Sequence, residues 1–297
     1  MAIDHDRLFK ELLRTFFREF IQLFYPDLDA MIDYEHVKFL SEEVYTDITG
    51  GKKGRVDLLV EVRLKGEAAL IIIHIEPQSY VEAEFPERMF LYASRLYEKY
   101  RRRIMPIAVF SHGAARDEPD TFGWGFPFLQ VMTFRYSTIE LHKHNWREYM
   151  QSNNPVAAAL LSKMGYNKSE KVRVKLEFLR MLVRLQLDPA RTELLAVFFD
   201  TYLKLNAQEE FVLYNEVQQM PKEAQVMELM TSWEKKGRKE GLKEGKKEGK
   251  KEGKKEGKVE VARNLLAMGA DLEFIKKATG LGEAEIAQTN QDQSINT

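Results

Sequence analysis

The chain has no cysteine among its 297 residues. This absence excludes disulfide bonds, thiolate zinc sites and cysteine nucleophiles, and it suits a reducing compartment. Long apolar runs are also missing, because no run is longer than that of residues 68–73, which is far shorter than the roughly 20 residues that cross a bilayer. The first ten residues mix acids and bases and have no apolar segment of the kind found in signal peptides. We therefore expect a soluble cytoplasmic protein with no membrane partner.

A large net charge is missing as well, since 45 Lys and Arg residues are balanced by 46 Asp and Glu residues. The whole chain therefore offers no electrostatic argument for nucleic acid or membrane binding. Charge is concentrated locally in residues 237–258. This segment is built from a four-residue unit that repeats, and it contains ten basic and five acidic residues. Glycine at every fourth position weakens a helix by about 0.8 to 1 kcal/mol each time. We interpret the repeat as a solvated charged linker, with a self-associating helix as the alternative.

Apolar periodicity divides most of the chain into an α/β region and a helical region. Residues 4–24 and 86–102 have the three- and four-residue spacing of helices. The order helix, three strands, helix, strand predicts an α/β domain. The strand-like segments are residues 37–40 continuing toward 48, 56–64, 69–75, 105–111 and, more weakly, 128–134. The predicted divisions are an α/β domain over residues 1–150, a helical extension over 151–233, the repeat over 234–258 and a small helical tail over 259–297.

The tail predicts two or three short helices and permits two interpretations. The spacing of Ile275, Gly280, Leu281 and Ile286 is compatible with a helix-turn-helix, but Lys276 stands where that motif usually has a small residue. Residues 259–297 carry three basic and six acidic residues, a poor surface for phosphates. A small interaction or capping module is therefore favoured over a DNA reader. We also expect the tail to mediate homo-oligomer formation.

Asp57 and Glu76 are acids at positions where a dry core is expected. If the flanking strands form a hairpin with its turn centred on Gly66 and Glu67, Asp57 lies directly opposite Glu76, with Cβ atoms about 4.5 to 5.5 Å apart. Two such carboxylates repel unless one is protonated or a cation lies between them, and a hard divalent cation suits oxygen ligands. Gln78 shares the strand face of Glu76. The alternative is that both acids are exposed at strand ends and pair with nearby basic residues.

Several segments, taken in order, resemble the Rpn family of recombination-promoting nucleases, also labelled transposases, within the PD-(D/E)XK nuclease superfamily. The repeat and the short helical tail resemble that family too. The segments that carry the resemblance are HDRLFKELL (5–13), GRVDLLVEV (54–62), HIEPQS (74–79) and MFLYASRLYEKY (89–100).

The resemblance implies a restriction-endonuclease-like αβββαβ core within residues 1–150. It also implies that Asp57 and Glu76 bind a metal, Mg²⁺ or alternatively Mn²⁺ or Ca²⁺, with the backbone carbonyl of Pro77 completing the ligand set. Gln78 takes the place of the superfamily lysine, and its amide can orient water but carries no charge. Glu11 lies on the first helix, where many superfamily members place an extra acid at the metal; a solvent-facing helix acid is the favoured alternative.

The function implied is metal-dependent hydrolysis of phosphodiester bonds in DNA, linked to recombination or to mobile-element or phage-related DNA processing. His74 is interpreted as a hydrogen-bonded sheet histidine, with support of the metal ligands as the alternative. A second hypothesis is a catalytically weak or inactive nuclease-fold protein that binds DNA or assembles into oligomers, and a transposase activity rests only on the naming of the family. A basic cluster on the helix after the active strand is predicted to contact DNA: Arg95, Lys99, Arg101, Arg102 and Arg103.

Overall fold

The computed structural model describes residues 5–40, 58–76, 84–111, 117–219, 224–231, 253, 256–282 and 285. The chain divides into two compact units, Met1–Met227 and Glu228–Thr297.

Three helices begin the first unit: α1 (His5–Thr15), α2 (Phe17–Phe24) and α3 (Pro26–Asp29). The sequence predicted one continuous helix over residues 4–24, whereas the structure breaks it at Phe16, which has φ −125° and ψ 41°. Phe16 and Phe17 are both buried. The break lets two adjacent aromatic rings enter the core, which the single face of a straight helix does not favour. The predicted end of the helical segment before Pro26 is confirmed.

A five-stranded mixed sheet forms the centre of this unit and confirms the predicted α/β class. The elements that follow α3 are, in chain order, β1 Ile32–Phe39, β2 Leu58–Leu64, β3 Glu67–Glu76, α4 Phe85–Tyr100, β4 Arg103–Phe110, β5 Thr121–Phe126, β6 Leu129–Arg135 and β7 Ser137–Glu140. The strand order in the sheet is β1-β2-β3-β4-β7, with the first two pairings antiparallel and the last two parallel. The parallel pair β3 and β4 is joined by a crossover that contains helix α4, as parallel strands require.

The turn between β2 and β3 lies one residue earlier than predicted. Leu64 pairs with Glu67, so Lys65 and Gly66 are the two central residues. Their φ values of 50° and 91° are both left-handed, as a type I′ hairpin turn requires. The predicted turn on Gly66 and Glu67 is therefore wrong, because Glu67 is already paired with Leu64 in the ladder and the turn is of type I′ on Lys65 and Gly66.

This turn shifts the hairpin register by two residues. Leu58 pairs with Ile73, whereas the predicted turn would have paired Leu58 with Ile75. The prediction that Asp57 lies directly opposite Glu76 does not agree with this register, which pairs the next residue, Leu58, with Ile73. Asp57 itself lies outside the described residues.

Helix α4 covers one face of the sheet and ends earlier than predicted. It ends at Tyr100, followed by Arg101 with a left-handed φ of 50°, and β4 begins at Arg103. The prediction that Arg101, Arg102 and Arg103 continue the helix is wrong, because the chain must leave the helix there to enter the sheet parallel to β3. Two buried clusters lie between α4 and the strands: Leu59, Tyr92, Ala93 and Leu96; and Phe85, Met89, Ala108, Phe110 and Tyr136.

Strands β5 and β6 form a separate two-stranded sheet. The sequence predicted β6 but interpreted β5 as a loop, because glycine and proline usually interrupt strands. Gly125 permits the strand here, since a Cβ at this position would lie 2.6 Å from the backbone oxygen of Leu129. Glycine therefore marks a close approach of two backbones.

The remainder of the first unit is helical, as the periodicity from Pro155 onward predicted. Phe178 and Phe199 stack with ring centroids 3.9 Å apart, and Phe9 of α1 meets Phe198 edge-on at 4.8 Å. These rings pack the helical region against α1. The helices are α5 Pro155–Leu160, α6 Lys171–Leu185, α7 Pro189–Tyr202 and α8 Ala207–Gln219, followed by helical residues 224–227.

The described part of the second unit contains helical residues 256–267 and helix α9 (Leu272–Thr279). Asp271 caps α9 by accepting a hydrogen bond from the backbone N–H of Phe274 at 2.9 Å, and Gly280 ends the helix with φ 67°. The core of this unit consists of Ala262, Ile275 and Leu281. In neither unit does a described helix have the length and apolar character needed to span a membrane.

Candidate active site

Glu76 is the last residue of β3, at one edge of the central sheet. It is in register with Phe110, the last residue of β4, and Phe110 is in register with Glu140, the last residue of β7. The carboxyl ends of three parallel strands therefore meet at this edge. Ligand sites in open α/β sheets form outside the carboxyl ends of strands, so this edge is the candidate active site.

Glu140 is a second acid at this edge, and sequence reasoning missed it. Its carboxylate accepts a hydrogen bond from Lys143 Nζ at 2.7 Å and one from the backbone N–H of Glu118 at 3.3 Å. Lys143 also donates to Asp117, and this hydrogen bond lowers the pKa of Asp117 and raises the pKa of Lys143. Glu140 and Asp117 therefore share one lysine as their counter-charge. The signal was weak because β7 has only four residues.

Ser111 follows Phe110 at the same edge and was also missed by sequence reasoning. Its side chain is 3% exposed, and its Oγ has no hydrogen-bond partner among the residues that the structure describes. A buried hydroxyl without a partner is costly, so Ser111 adds an unsatisfied polar group to the candidate edge. A single serine after an apolar strand carries no signal in the sequence.

The predicted metal ligands fall largely outside the described part of the chain. Asp57, Pro77 and Gln78 lie in ranges that the structure does not describe, and Glu76 and His74 are described by their backbone alone. Within the described ranges, no group of three or more His, Asp or Glu side chains is arranged to hold an ion. The metal site stays a prediction.

Glu11 is exposed on α1, the helix whose opposite face buries Phe9, Leu12 and Leu13. It belongs to no group of potential metal ligands within the described ranges. Its role as an additional acid at the metal also stays a prediction.

The predicted DNA-contacting arginines lie at the other end of the sheet from Glu76. Arg103 pairs with Ala69 near the start of β3, whereas Phe110 pairs with Glu76 at its end. Seven steps along a strand, at about 3.3 Å each, separate these rows by roughly 23 Å. The structure therefore does not bring Arg101, Arg102 and Arg103 together with Glu76.

Two of these arginines form ion pairs with acids of neighbouring strands. Arg102 contacts Glu61 of β2 at 2.9 Å, and Arg103 contacts Glu67 of β3. The Arg102–Glu61 pair is about one-third exposed and the Arg103–Glu67 pair is mostly exposed, so each contributes only modestly to stability. A phosphate would have to compete with these acids for the same guanidinium groups.

The rest of the cluster lies near the carboxyl end of α4. Arg101 lies over the ring of Tyr97 at 5.8 Å, Lys99 lies over the ring of Tyr100 at 5.7 Å, and Arg95 is exposed. Cations at this end also suit the helix dipole. Contact between this cluster and DNA stays a prediction.

Two family models match separate parts of the chain. One, described as "Putative transposase, YhgA-like", matches residues 3–116, which include the sheet through β4. The other, described as "Rpn/YhgA-like nuclease family, C-terminal HTH domain", matches residues 255–291. No curated protein and no solved structure matches the chain. The second match supports the helix-turn-helix interpretation of the tail, which the charge pattern alone had ranked below an interaction module.

Proposed function

Because the chain belongs to the Rpn/YhgA-like nuclease family, we propose that it is a metal-dependent endonuclease that hydrolyses phosphodiester bonds in DNA. The observation that carries this proposal is the position of Glu76 at the carboxyl edge of three parallel strands, within the segment that the first family model matches. A substrate at this edge can approach the ends of all three strands at once.

The proposed core is the restriction-endonuclease-like αβββαβ arrangement. In its support, α1 precedes the antiparallel meander β1-β2-β3, and α4 then leads to β4, which lies parallel to β3. The additional strand β7 extends the same sheet beyond β4.

The proposed metal ligands are the carboxylates of Asp57 and Glu76 and the backbone carbonyl of Pro77, with Glu11 as a further acid. All are hard oxygen donors, the type that Mg²⁺, Mn²⁺ and Ca²⁺ prefer. The two-residue shift in register keeps the parity of the strands, so it does not by itself assign positions 57 and 76 to opposite faces. Such an ion, when bound, supplies charge that polarises the phosphate and lowers the pKa of a coordinated water.

Gln78 is proposed to orient the attacking water. Its amide offers one acceptor and two donor hydrogens, so it can position a water by hydrogen bonds. Unlike a lysine, it cannot place a positive charge beside the phosphate as negative charge develops. A bound metal ion would then have to stabilise the negative charge that develops on the phosphate.

Affinity for DNA is proposed to come mainly from the second unit. The helix-turn-helix match and the net charge of the repeat, with ten basic and five acidic residues, both favour DNA as a partner. We propose a role in recombination or in the processing of mobile-element or phage-related DNA.

A plasmid cleavage assay tests the proposed site. The full-length protein is incubated with supercoiled plasmid with and without Mg²⁺, beside Asp57→Ala and Glu76→Ala variants. Glu67→Ala is the matched control, since Glu67 is an exposed acid at the other end of the same strand. We expect both site variants to lose cleavage at least about a hundredfold, since each removes a metal ligand, while the control keeps it. Cleavage that survives both site substitutions would refute the site.

The second candidate is a DNA-binding or assembly protein whose nuclease fold has lost activity, and the helix-turn-helix match favours it. The same assay separates the two candidates. DNA binding without cleavage in Mg²⁺, Mn²⁺ or Ca²⁺ supports this alternative, whereas Mg²⁺-dependent cleavage excludes it. Joining of a labelled DNA end to the plasmid would instead support the transposase description of the first match.

A further inference from the structure

The β5–β6 hairpin, residues 121–135, carries a group of exposed apolar side chains on the first unit. We propose that this hairpin is a self-association surface that joins two copies of the chain. The exposed fractions of its side chains are 85% for Phe128, 62% for Phe126, 55% for Leu129, and 47% for both Trp124 and Val131.

The base of the hairpin is anchored to α4, so the tip is held in place. The ring of Phe90 on α4 lies 5.4 Å from Phe122 and 5.6 Å from Phe134, which face each other across the two strands. Trp124 also lies 5.7 Å from Phe90. The inner rings thus pack on the helix, while the residues beyond them extend into solvent.

The exposed tip is ordered by its own contacts. Phe126 and Phe128 stack with centroids 5.8 Å apart. The side chain of Gln130 donates hydrogen bonds to the backbone oxygens of Met132 at 2.9 Å and Trp124 at 3.3 Å. A surface that is already ordered loses little conformational entropy on association. Rigid aromatic side chains are also the usual anchors of protein interfaces.

The charge of the hairpin favours a second copy over nucleic acid. Arg135 is the only charged residue within residues 121–135. Binding to a phosphate backbone depends on several Lys or Arg side chains, which this hairpin lacks. A two-fold contact places each residue against the same patch of the partner, so charged patches repel themselves whereas a neutral aromatic patch does not.

The available area is large enough for a dimer. The five exposed fractions amount to about three fully exposed side chains. Since aromatic side chains bury roughly 150 to 250 Å² each, the patch offers about 500 Å² per copy. Two copies would bury about 1,000 Å², the lower limit for a specific interface. We therefore expect a dimer with a dissociation constant in the micromolar range.

The proposed dimer surface is distinct from the C-terminal tail, which the sequence alone had favoured for oligomer formation. The tail exposes apolar side chains of its own, including Met268, Leu272 and Phe274. The test must therefore distinguish the hairpin from the tail within the full-length chain.

Sedimentation equilibrium of the full-length chain tests the proposal. The hairpin variant carries Phe126→Ser and Phe128→Ser, both at exposed positions, so that folding is retained and is checked by circular dichroism. We expect the unmodified chain to form a dimer, and we expect the dissociation constant of the hairpin variant to be at least about thirtyfold larger. Phe211→Ser on α8, where the phenylalanine is 66% exposed, is the matched control and should leave the dimer unchanged. Phe274→Ser in the tail should also leave it unchanged.

Two results would overturn the proposal. The first is an unmodified chain that stays monomeric up to about 100 μM, well above a micromolar dissociation constant. The second is a hairpin variant that dimerises as tightly as the unmodified chain, and dissociation by Phe274→Ser would then assign association to the tail.

Discussion

At the scale of single residues, His144 shows how the fold changes the chemistry of a side chain. Its Nδ1 forms a hydrogen bond with the hydroxyl of Tyr149 at 2.7 Å, and its ring lies edge-on to Phe24 at 5.5 Å. Burial lowers the pKa of His144 below its ordinary value of 6.5, while Glu148 opposes the shift and His142 adds to it. The neutral imidazole is therefore the form that the folded state prefers.

This shift predicts a pH dependence of stability. As pH falls through about 6.5, the unfolded chain takes up the proton before the folded chain does, so the free energy of unfolding decreases. We expect urea unfolding between pH 7.5 and pH 5 to show this decrease, and His144→Gln to reduce its slope. An unchanged slope in His144→Gln would contradict the argument.

Burial also predicts unequal effects for two phenylalanines of the helical region. Phe199 is fully buried and stacks on Phe178, whereas Phe211 is mostly exposed. We expect Phe199→Ala to lower the free energy of unfolding by about 3 to 5 kcal/mol because it leaves a cavity. Phe211→Ala should change it by less than about 0.5 kcal/mol. Equal effects in urea unfolding would contradict the packing described for α7.

At the scale of secondary-structure elements, the β2–β3 turn determines which residues face each other across the hairpin. Sequence reasoning identified the two strands and the glycine correctly, because alternation and turn residues are local signals. It misplaced the turn by one residue, because a lysine gives no local sign of left-handed backbone. Lys65 is left-handed here because the two strands beside it require a turn of matching twist.

The turn supplies a pair of substitutions with opposite expected signs. Gly66 has φ 91° with nothing within 4 Å of a Cβ, so Gly66→Ala is strained by backbone conformation alone and should cost about 1 to 2 kcal/mol. Lys65→Asn should raise stability by about 0.5 kcal/mol, because asparagine tolerates left-handed backbone and suits this turn. Thermal unfolding of both variants measures the difference. A stabilising Gly66→Ala would exclude a type I′ turn.

At the scale of the whole molecule, the two units have separate predicted roles. The first contains the sheet edge with Glu76, and the second contains the helix-turn-helix match. Removal of the second unit should then weaken DNA binding and leave the proposed nuclease site in the first unit intact. Arg102 and Arg103, at the amino end of β4, do not show whether the first unit also binds DNA, because their guanidinium groups form ion pairs with acids of the sheet.

We expect a chain ending at Met227 to unfold cooperatively, because the first unit is compact by itself. Its affinity for DNA should fall at least about tenfold, and the dependence of binding on salt should weaken because the basic repeat is lost. Circular dichroism measures the unfolding, and fluorescence anisotropy with labelled DNA at several salt concentrations measures the affinity. Unchanged affinity would assign DNA binding to the first unit.

The α/β class, the order of the main helices and strands, and the resemblance to a nuclease family follow from the amino-acid sequence alone. They depend on short-range periodicity and on local motifs, which are visible in consecutive residues. The hairpin register, the exposed aromatic hairpin and the distance between the arginines and Glu76 are known only from the fold. These depend on which strands pair and in which direction, and pairing is set by contacts between residues far apart in the chain.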